Sequence, residues 1–380
     1  QVDSAWAAKQ IIVDHKLLLI GPENKLSSGF FVGPLYYYLI SVFYLFTNLD
    51  PIAAGLFAGF TSIIGFFTLF FVTKKLFSFN VALVAVFINT VSYSAIGLDR
   101  VQWEVNFIPI VSLLVFYLLY KILLGSEKNI VYLSIVLAIA FHVHLTPAVF
   151  LPIIILLTIP FFPKTKKTLL YAISSIPILL VGLSPIIIVN ILNKNSYAVN
   201  QLQYVGLSFH GIHLTRIFQL LTDAFIQIES YLQFPVIRFL SILTLPFFFI
   251  VHFLNRPSKK SFTMVSLVFL FFAIPWLTLS TYRHEITDYY FSTNRFIGLI
   301  ALSYLIYKML EIKKPIITLF LIIFTIYYTS TNMQRFLNKS MVGLRNYRIL
   351  AKGEIQKGKV IPYKQGDPAS YLYYVYTRKK

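Results

Sequence analysis

Ionisable side chains are scarce in this chain, with 14 Asp and Glu against 33 Lys and Arg in 380 residues. Where they gather is where chemistry could occur. The first gathering holds Asp3, Lys9, Asp14, His15, Lys16, Glu23 and Lys25 and runs into Gly33-Pro34-Leu35-Tyr36-Tyr37-Tyr38-Leu39. An aspartate has an ordinary pKa of about 3.9, so Asp3 is ionised at neutral pH and could take a proton from a hydroxyl aligned with it. Without further context Asp3 reads instead as the cap of a short helix, Asp3 to Ile12, lying on a membrane surface.

Three further polar groups stand between apolar stretches: Asp99, Arg100, Gln102, Trp103, Glu104 and Asn106; His142 and His144; and Arg283, His284, Glu285, Asp288, Tyr289, Tyr290, Asn294 and Arg295. Arginine suits a phosphate because its planar fork binds two oxygens and keeps its charge beside hydrocarbon. Arg100, Arg283 and Arg295 fall at expected helix ends, and Arg238 one turn inside one. All four fit equally as anchors that reach back to the interface. Two histidines at i, i+2 point to different faces of a helix and make a poor metal pair without a third ligand, so they read as polar lining. No cysteine is present, which excludes disulfides and thiolate metal sites.

The elements that must position these groups are membrane helices. The chain is 57% hydrophobic and 12% charged, with mean hydropathy +0.74, the balance of an all-α polytopic membrane protein. Ten apolar segments are expected as spans, at about 52–73, 79–97, 106–124, 130–146, 147–162, 168–192, 235–254, 262–280, 294–310 and 315–330. Alternate connections carry the basic residues: Lys74 and Lys75; Lys121 and Lys128; Lys164, Lys166 and Lys167; Arg256, Lys259 and Lys260; Lys308, Lys313 and Lys314. That alternation is the positive-inside pattern and accounts for the net charge of +19 without nucleic acid as a partner. It divides the chain into an external segment 1–50, a transmembrane domain 51–330 and an external basic tail 331–380.

Within the first segment, Gly33 to Asn48 is apolar over 16 residues, roughly 24 Å as a helix against a hydrocarbon core of roughly 30 Å. It is expected on the membrane surface, with the tyrosines at headgroup level. In residues 193–234, Leu214 to Ile228 shows a helical apolar stripe and is expected as one surface helix, facing lipid or substrate or only packing on the bundle. Tyr371 to Thr377 in the tail is strand-like in composition, and Asn338-Lys339-Ser340 matches a glycosylation sequon of a length that arises by chance.

Asp3, followed about 30 residues later by Pro34-Leu35-Tyr36-Tyr37-Tyr38 and then Pro51-Ile52-Ala53-Ala54, resembles the first external loop of the GT-C superfamily of polyprenyl-phosphate-sugar glycosyltransferases. The pattern is similar to bacterial protein O-mannosyltransferases and lipid A aminoarabinose transferases. Arg100-Val101-Gln102-Trp103-Glu104 through Pro109 resembles that family's second external loop. Tyr282-Arg283-His284-Glu285 through Tyr290 resembles its late external motif. The resemblance implies a GT-C-like helical bundle with external juxtamembrane helices, and one further membrane helix upstream of Gln1. It implies Asp3 as catalytic base and Arg283, Arg295 and Arg100 as contacts to the donor phosphate. Tyr36, Tyr37, Trp103, Glu104, His144, His284, Tyr289 and Tyr290 would line the substrate cavity. Ser4 stands where relatives often carry a second acidic residue; a divalent metal is compatible with the chemistry, but no residue set in the sequence is assigned to hold one.

The implied function is transfer of a sugar from a polyprenyl-phosphate donor to a glycan, lipid or protein acceptor on the outer face of the cell membrane, with the bilayer and the lipid-linked donor as partners. The alternatives are a flippase or transporter for such lipids, and a polysaccharide polymerase or ligase of similar architecture. A transporter would carry ionisable residues mid-span. Here they concentrate in the external connections.

Overall fold

The computed structural model describes residues 2–23, 31–193, 199–200, 203, 206–208, 211, 214–232, 238–255, 258–338, 344–362 and 367–378. Arg256 and most of the sequon lie outside the described residues. The elements are α1 (Val2–Ile12), α2 (Leu35–Phe46), α3 (Ile52–Leu76), α4 (Phe79–Val91), α5 (Tyr93–Asp99), α6 (Ile108–Leu123), α7 (Asn129–Ala140), α8 (Leu145–Thr158), α9 (Lys166–Leu192), α10 (Leu214–Asp223), α11 (Ile226–Leu232), α12 (Arg238–Asn255), α13 (Lys259–Ser280), α14 (Arg295–Glu311), α15 (Pro315–Asn338), α16 (Leu344–Gln356) and α17 (Pro368–Thr377). Among the described residues there is no named strand, only an isolated antiparallel bridge between Glu23 and Phe31.

The helices begin where the sequence supplies a cap. Ser78, Thr165 and Ser258 each accept a hydrogen bond from the backbone N–H three residues on, at 3.3, 3.1 and 3.2 Å, which satisfies a donor the helix leaves open. The stretch expected as a single span over 79–97 is instead broken. Ser92 leaves helical backbone (ψ 121°) and its hydroxyl caps α5, so α4 and α5 meet at a bend of 73°.

Among the described residues five helices, α3, α9, α13, α15 and Glu104–Leu123, are long and apolar enough to cross a membrane, and the α4–α5 pair adds a sixth if counted as one span. The other expected spans also fold as helices but are shorter. Phe67, Leu180, Val181, Ile316, Phe320 and Ile326 present bare hydrocarbon on the outer helices, a surface that suits lipid and not water. The main core gathers Leu69, Ala85, Leu113, Phe116, Phe150, Phe248, Phe271 and Leu299 between the inner faces.

The C-terminal end of α3 packs against α4, α6, α12 and α14. Lys74 lies 5.7 Å over the Phe79 ring and Lys75 5.9 Å over Tyr117, while Phe77 packs on Tyr304 and His252, one turn from Lys308.

A second cluster joins the two ends of the chain. Ala5 and Ala8 of α1, Tyr36, Ile40 and Tyr44 of α2, Leu49, Ala53, Phe57 and Tyr371 of α17 are buried together. The small residues of α1 let it approach closely, and the i, i+4, i+8 spacing of Tyr36, Ile40 and Tyr44 places one face of α2 inward. At 12 residues, roughly 18 Å, α2 is well short of a span.

Two expectations are corrected here. Tyr371 to Thr377 is not strand but part of α17: Asp367 accepts from the backbone N–H groups of Ala369 and Ser370 at 3.2 and 3.1 Å, Pro368 occupies the first turn, and packing of Tyr371 against α1 overrides β propensity. The surface helix expected over 214–228 is two helices, α10 and α11, with Ala224 and Phe225 turned inward at the break.

Candidate functional site

The segment from Leu98 to Asn106 links α5 to α6 and carries most of the site. Between the end of α5 and a short 3-10 turn over Glu104–Phe107 it is irregular, and side chains add to the few backbone bonds that hold it. Asn106 Nδ2 donates to the carbonyls of Leu98 (3.0 Å) and Val101 (2.8 Å), and Ser62 Oγ donates to the Asp99 carbonyl at 3.1 Å. Trp103 is in extended backbone, φ −154° and ψ 135°. In extended chain successive side chains point to opposite sides, which separates Gln102 from Trp103.

On the Trp103 side stands an aromatic wall. The indole meets the Tyr289 ring at 4.7 Å between centroids, Tyr289 stacks on Tyr290 at 4.8 Å, and His144 lies edge-on to both at 5.6 and 6.3 Å. Tyr282 joins His284 to the group at 5.3 Å. His144 Nδ1 accepts from the backbone N–H of Thr146 at 3.2 Å, which leaves its proton on Nε2. Burial lowers the His144 pKa from 6.5 to about 4, so the ring is neutral. His142 is not part of this wall: its Nε2 donates to the Gly182 carbonyl at 2.7 Å, and its ring fills the space a side chain at Gly33 would need.

The tyrosine run meets the segment from the other direction. Gln102 Nε2 donates to the Tyr36 hydroxyl. Burial pushes the Tyr37 hydroxyl above the ordinary tyrosine range, and the carboxylates of Asp3 and Glu104 push it the same way. Burial, then Glu104, does the same for Tyr36. Asp3, Tyr36, Tyr37 and Glu104 therefore form one neighbourhood, with Asp3 exposed in the first turn of α1 and Glu104 half-buried.

Arg100 borders a cavity of about 390 Å3 on the Gln102 side, with Val2 and Ala5 of α1, Tyr44, Tyr347 and Tyr371 in its walls. The Arg100 guanidinium is exposed and lies 5.2 Å over the Phe336 ring. A second cavity of about 430 Å3, lined by Leu83, Phe87, Ile322 and Tyr328, is apolar and lies between α4, α14 and α15.

The three arginines expected at a phosphate differ in placement. Arg100 lines a cavity. Arg283 is exposed, and Arg216 grips its turn by donating to the Arg283 and His284 carbonyls at 3.3 and 2.6 Å. Arg295 is 3% exposed: its Nε donates to the Tyr231 hydroxyl at 3.0 Å and its Nη2 pairs with Asp99 Oδ1 at 3.4 Å. Tyr231 donates on to Asn89 Oδ1 at 2.9 Å. Gln102 was legible only as a member of the polar group around Arg100, and Arg216, Tyr231 and Asn89 were not singled out from the sequence as site residues, since nothing in their local spacing distinguishes them. Among the described residues no group of three or more His, Cys, Asp or Glu could hold a metal ion.

No family model matches the chain, and no curated protein matches it in sequence. Its structure is similar to that of ArnT from Cupriavidus metallidurans in the apo state, with TM-score 0.55 and 10% identity over 98% of this chain and 63% of that one. It is similar also to ArnT from the same organism bound to undecaprenyl phosphate, with TM-score 0.53 and 10% identity over 99% of this chain and 68% of that one. The chain thus spans about two thirds of the length of those proteins. With helices in all the named elements of its described residues, several of them long and apolar enough to cross a membrane, this chain is a multi-pass membrane protein that shares the fold of ArnT.

Proposed function

We propose that the chain is a membrane glycosyltransferase that moves a sugar from a polyprenyl-phosphate donor to an acceptor hydroxyl on the outer face of the membrane. The observation that carries this reading is that the carboxylates of Asp3 and Glu104 both act on the Tyr37 hydroxyl, while Val2 and Ala5 of the same α1 helix, with Arg100 and Gln102, line a cavity, in a fold shared with a protein crystallised with undecaprenyl phosphate.

Asp3 takes the proton of the acceptor hydroxyl as its oxygen attacks the anomeric carbon. The bond from that carbon to the phosphate oxygen breaks, and the electron pair leaves with the polyprenyl phosphate. Asp3 is exposed and has room for an acceptor. Arg100, and Arg283 from the late connection, stabilise the departing phosphate by charge-assisted hydrogen bonds. Trp103, Tyr289, Tyr290 and the neutral His144 offer flat apolar faces with polar edges to a sugar ring.

Lys121 stands in the last turn of α6, whose first turn follows the segment from Leu98 to Asn106, and basic residues at the far end of that helix support an extracytoplasmic site. Residues 1–50 and 331–380 then lie outside and 51–330 form the transmembrane domain. The deciding assay supplies purified protein with a polyprenyl-phosphate sugar and measures release of polyprenyl phosphate. Asp3→Asn keeps shape and removes basicity, so turnover collapses while expression and folding persist. Retained turnover in Asp3→Asn would move the base to Asp14, Asp99 or Glu104.

A further inference from the structure

Arg295 begins α14, and its side chain is buried. An arginine enclosed this way is tolerated only with its charge and donors satisfied. Asp99 supplies the charge and the Tyr231 hydroxyl takes Nε. Since Tyr231 belongs to α11 and bonds Asn89 of α4, one guanidinium joins α14, α5, α11 and α4. The polar pocket beside it, lined by Thr61, Ser62, Asn89, Asp99, Asn106 and Arg295, has a volume of about 10 Å3. That is room for one water at most and excludes a phosphate group.

Asp99 is the last residue of α5. The next residue is Arg100 at the cavity, and four residues on is Trp103 in the aromatic wall. We propose that Arg295 is a positioning residue: through Asp99 it holds the Arg100–Glu104 segment in place, and it makes no contact with the donor phosphate. This rests on the proposed transfer reaction for its functional meaning, and on the geometry alone for its structural claim. The other pins, Ser62 and Asn106, hold backbone carbonyls of the segment. The Arg295–Asp99 pair is the ion pair that ties it to the late half of the chain, beside the ring contacts of Trp103 with Tyr289 and of Arg100 with Phe336.

Trp103 reports on the segment directly. In full-length protein in nanodiscs, Trp6→Phe and Trp276→Phe leave Trp103 as the sole indole. In that background Arg295→Met and the nearly isosteric Asp99→Asn are expected to shift Trp103 emission to the red and to raise its quenching by acrylamide. Turnover is expected to fall by on the order of tenfold to a hundredfold, the effect of a small misplacement of reacting groups. Arg295→Lys, which keeps the charge but not the fork, falls between. The double variant Asp99→Asn/Arg295→Met is no worse than either single change, because the pair acts as a unit. Unchanged Trp103 emission and quenching in folded Arg295→Met and Asp99→Asn overturns the proposal. So does loss of binding of polyprenyl phosphate in Arg295→Met with Trp103 unmoved, which makes Arg295 a phosphate ligand. A moved Trp103 in a protein whose unsubstituted form shows no sugar transfer upholds the positioning role and faults the glycosyltransferase reading alone.

Discussion

The ring of Tyr371 meets the indole of Trp6 edge-on, with 5.1 Å between centroids, although the two stand near opposite ends of the sequence. Tyr371 also donates its hydroxyl to the Leu49 carbonyl at 3.0 Å. Leu49 and Asn48 both hold positive φ, 59° and 51°, a conformation that residues with a side chain seldom adopt and that needs support from outside. Arg378 donates to the Asn48 carbonyl and Oδ1, and Arg348 pairs with Asp50. The C-terminal helices thus brace the turn between α2 and α3 and one flank of α1.

Tyr371→Phe leaves the buried Leu49 carbonyl without its partner and is expected to lower stability by about 1–3 kcal/mol. Tyr371→Ala also opens a cavity against Trp6 and Tyr44, with a loss of about 3–5 kcal/mol. Thermal unfolding in detergent orders the two below the unsubstituted chain; melting of Tyr371→Ala at the unsubstituted temperature would show that the C-terminal helix does not brace the fold.

Arg100→Ala and Arg283→Ala test the phosphate contacts. Each removes a charge-assisted hydrogen bond of roughly 1.5–3 kcal/mol, so donor affinity is expected to fall by about one to two decades. Titration with polyprenyl phosphate reads it directly, and unchanged affinity in both variants would leave the two arginines as interface anchors.

Acid should destabilise the protein through His144. Folded His144 stays neutral down to about pH 4, whereas its ordinary pKa is 6.5. The unfolded chain therefore binds the extra proton between these values, and stability is lost as pH falls from 6.5 towards 4 and is level above. Burial shifts His142 in the same direction. His144→Gln is expected to flatten part of the slope in melting temperature against pH; a slope identical to that of the unsubstituted protein would count against a buried neutral ring.

Topology is open to labelling in intact cells. Lys16→Cys and Lys359→Cys, both at exposed positions, are expected to react with a membrane-impermeant thiol reagent, and the exposed Lys74→Cys to react only after permeabilisation. Reaction of all three from outside would overturn the assignment of faces.

The residues themselves determined the membrane class, the helical content and the positions of most helix starts. These are local consequences of how much hydrocarbon a stretch carries and whether Ser or Thr stands ready to cap it. The shortness of α2 against a bilayer was legible for the same reason, as was the clustering of polar groups around Asp99–Asn106 and Arg283–Arg295. The fates of individual side chains were not. Arg100 and Arg295 read alike as cations at helix ends, yet one lines a cavity and the other is sealed against Asp99 and Tyr231, partners 196 and 64 residues away. The break at Ser92, where the freed Tyr93 N–H donates to Asn332 Oδ1 at 2.6 Å, and the helical Tyr371–Thr377, packed on Trp6, follow the same logic. In each case a local preference was weak enough for distant packing to decide, and only the tertiary structure brings those distant groups within reach.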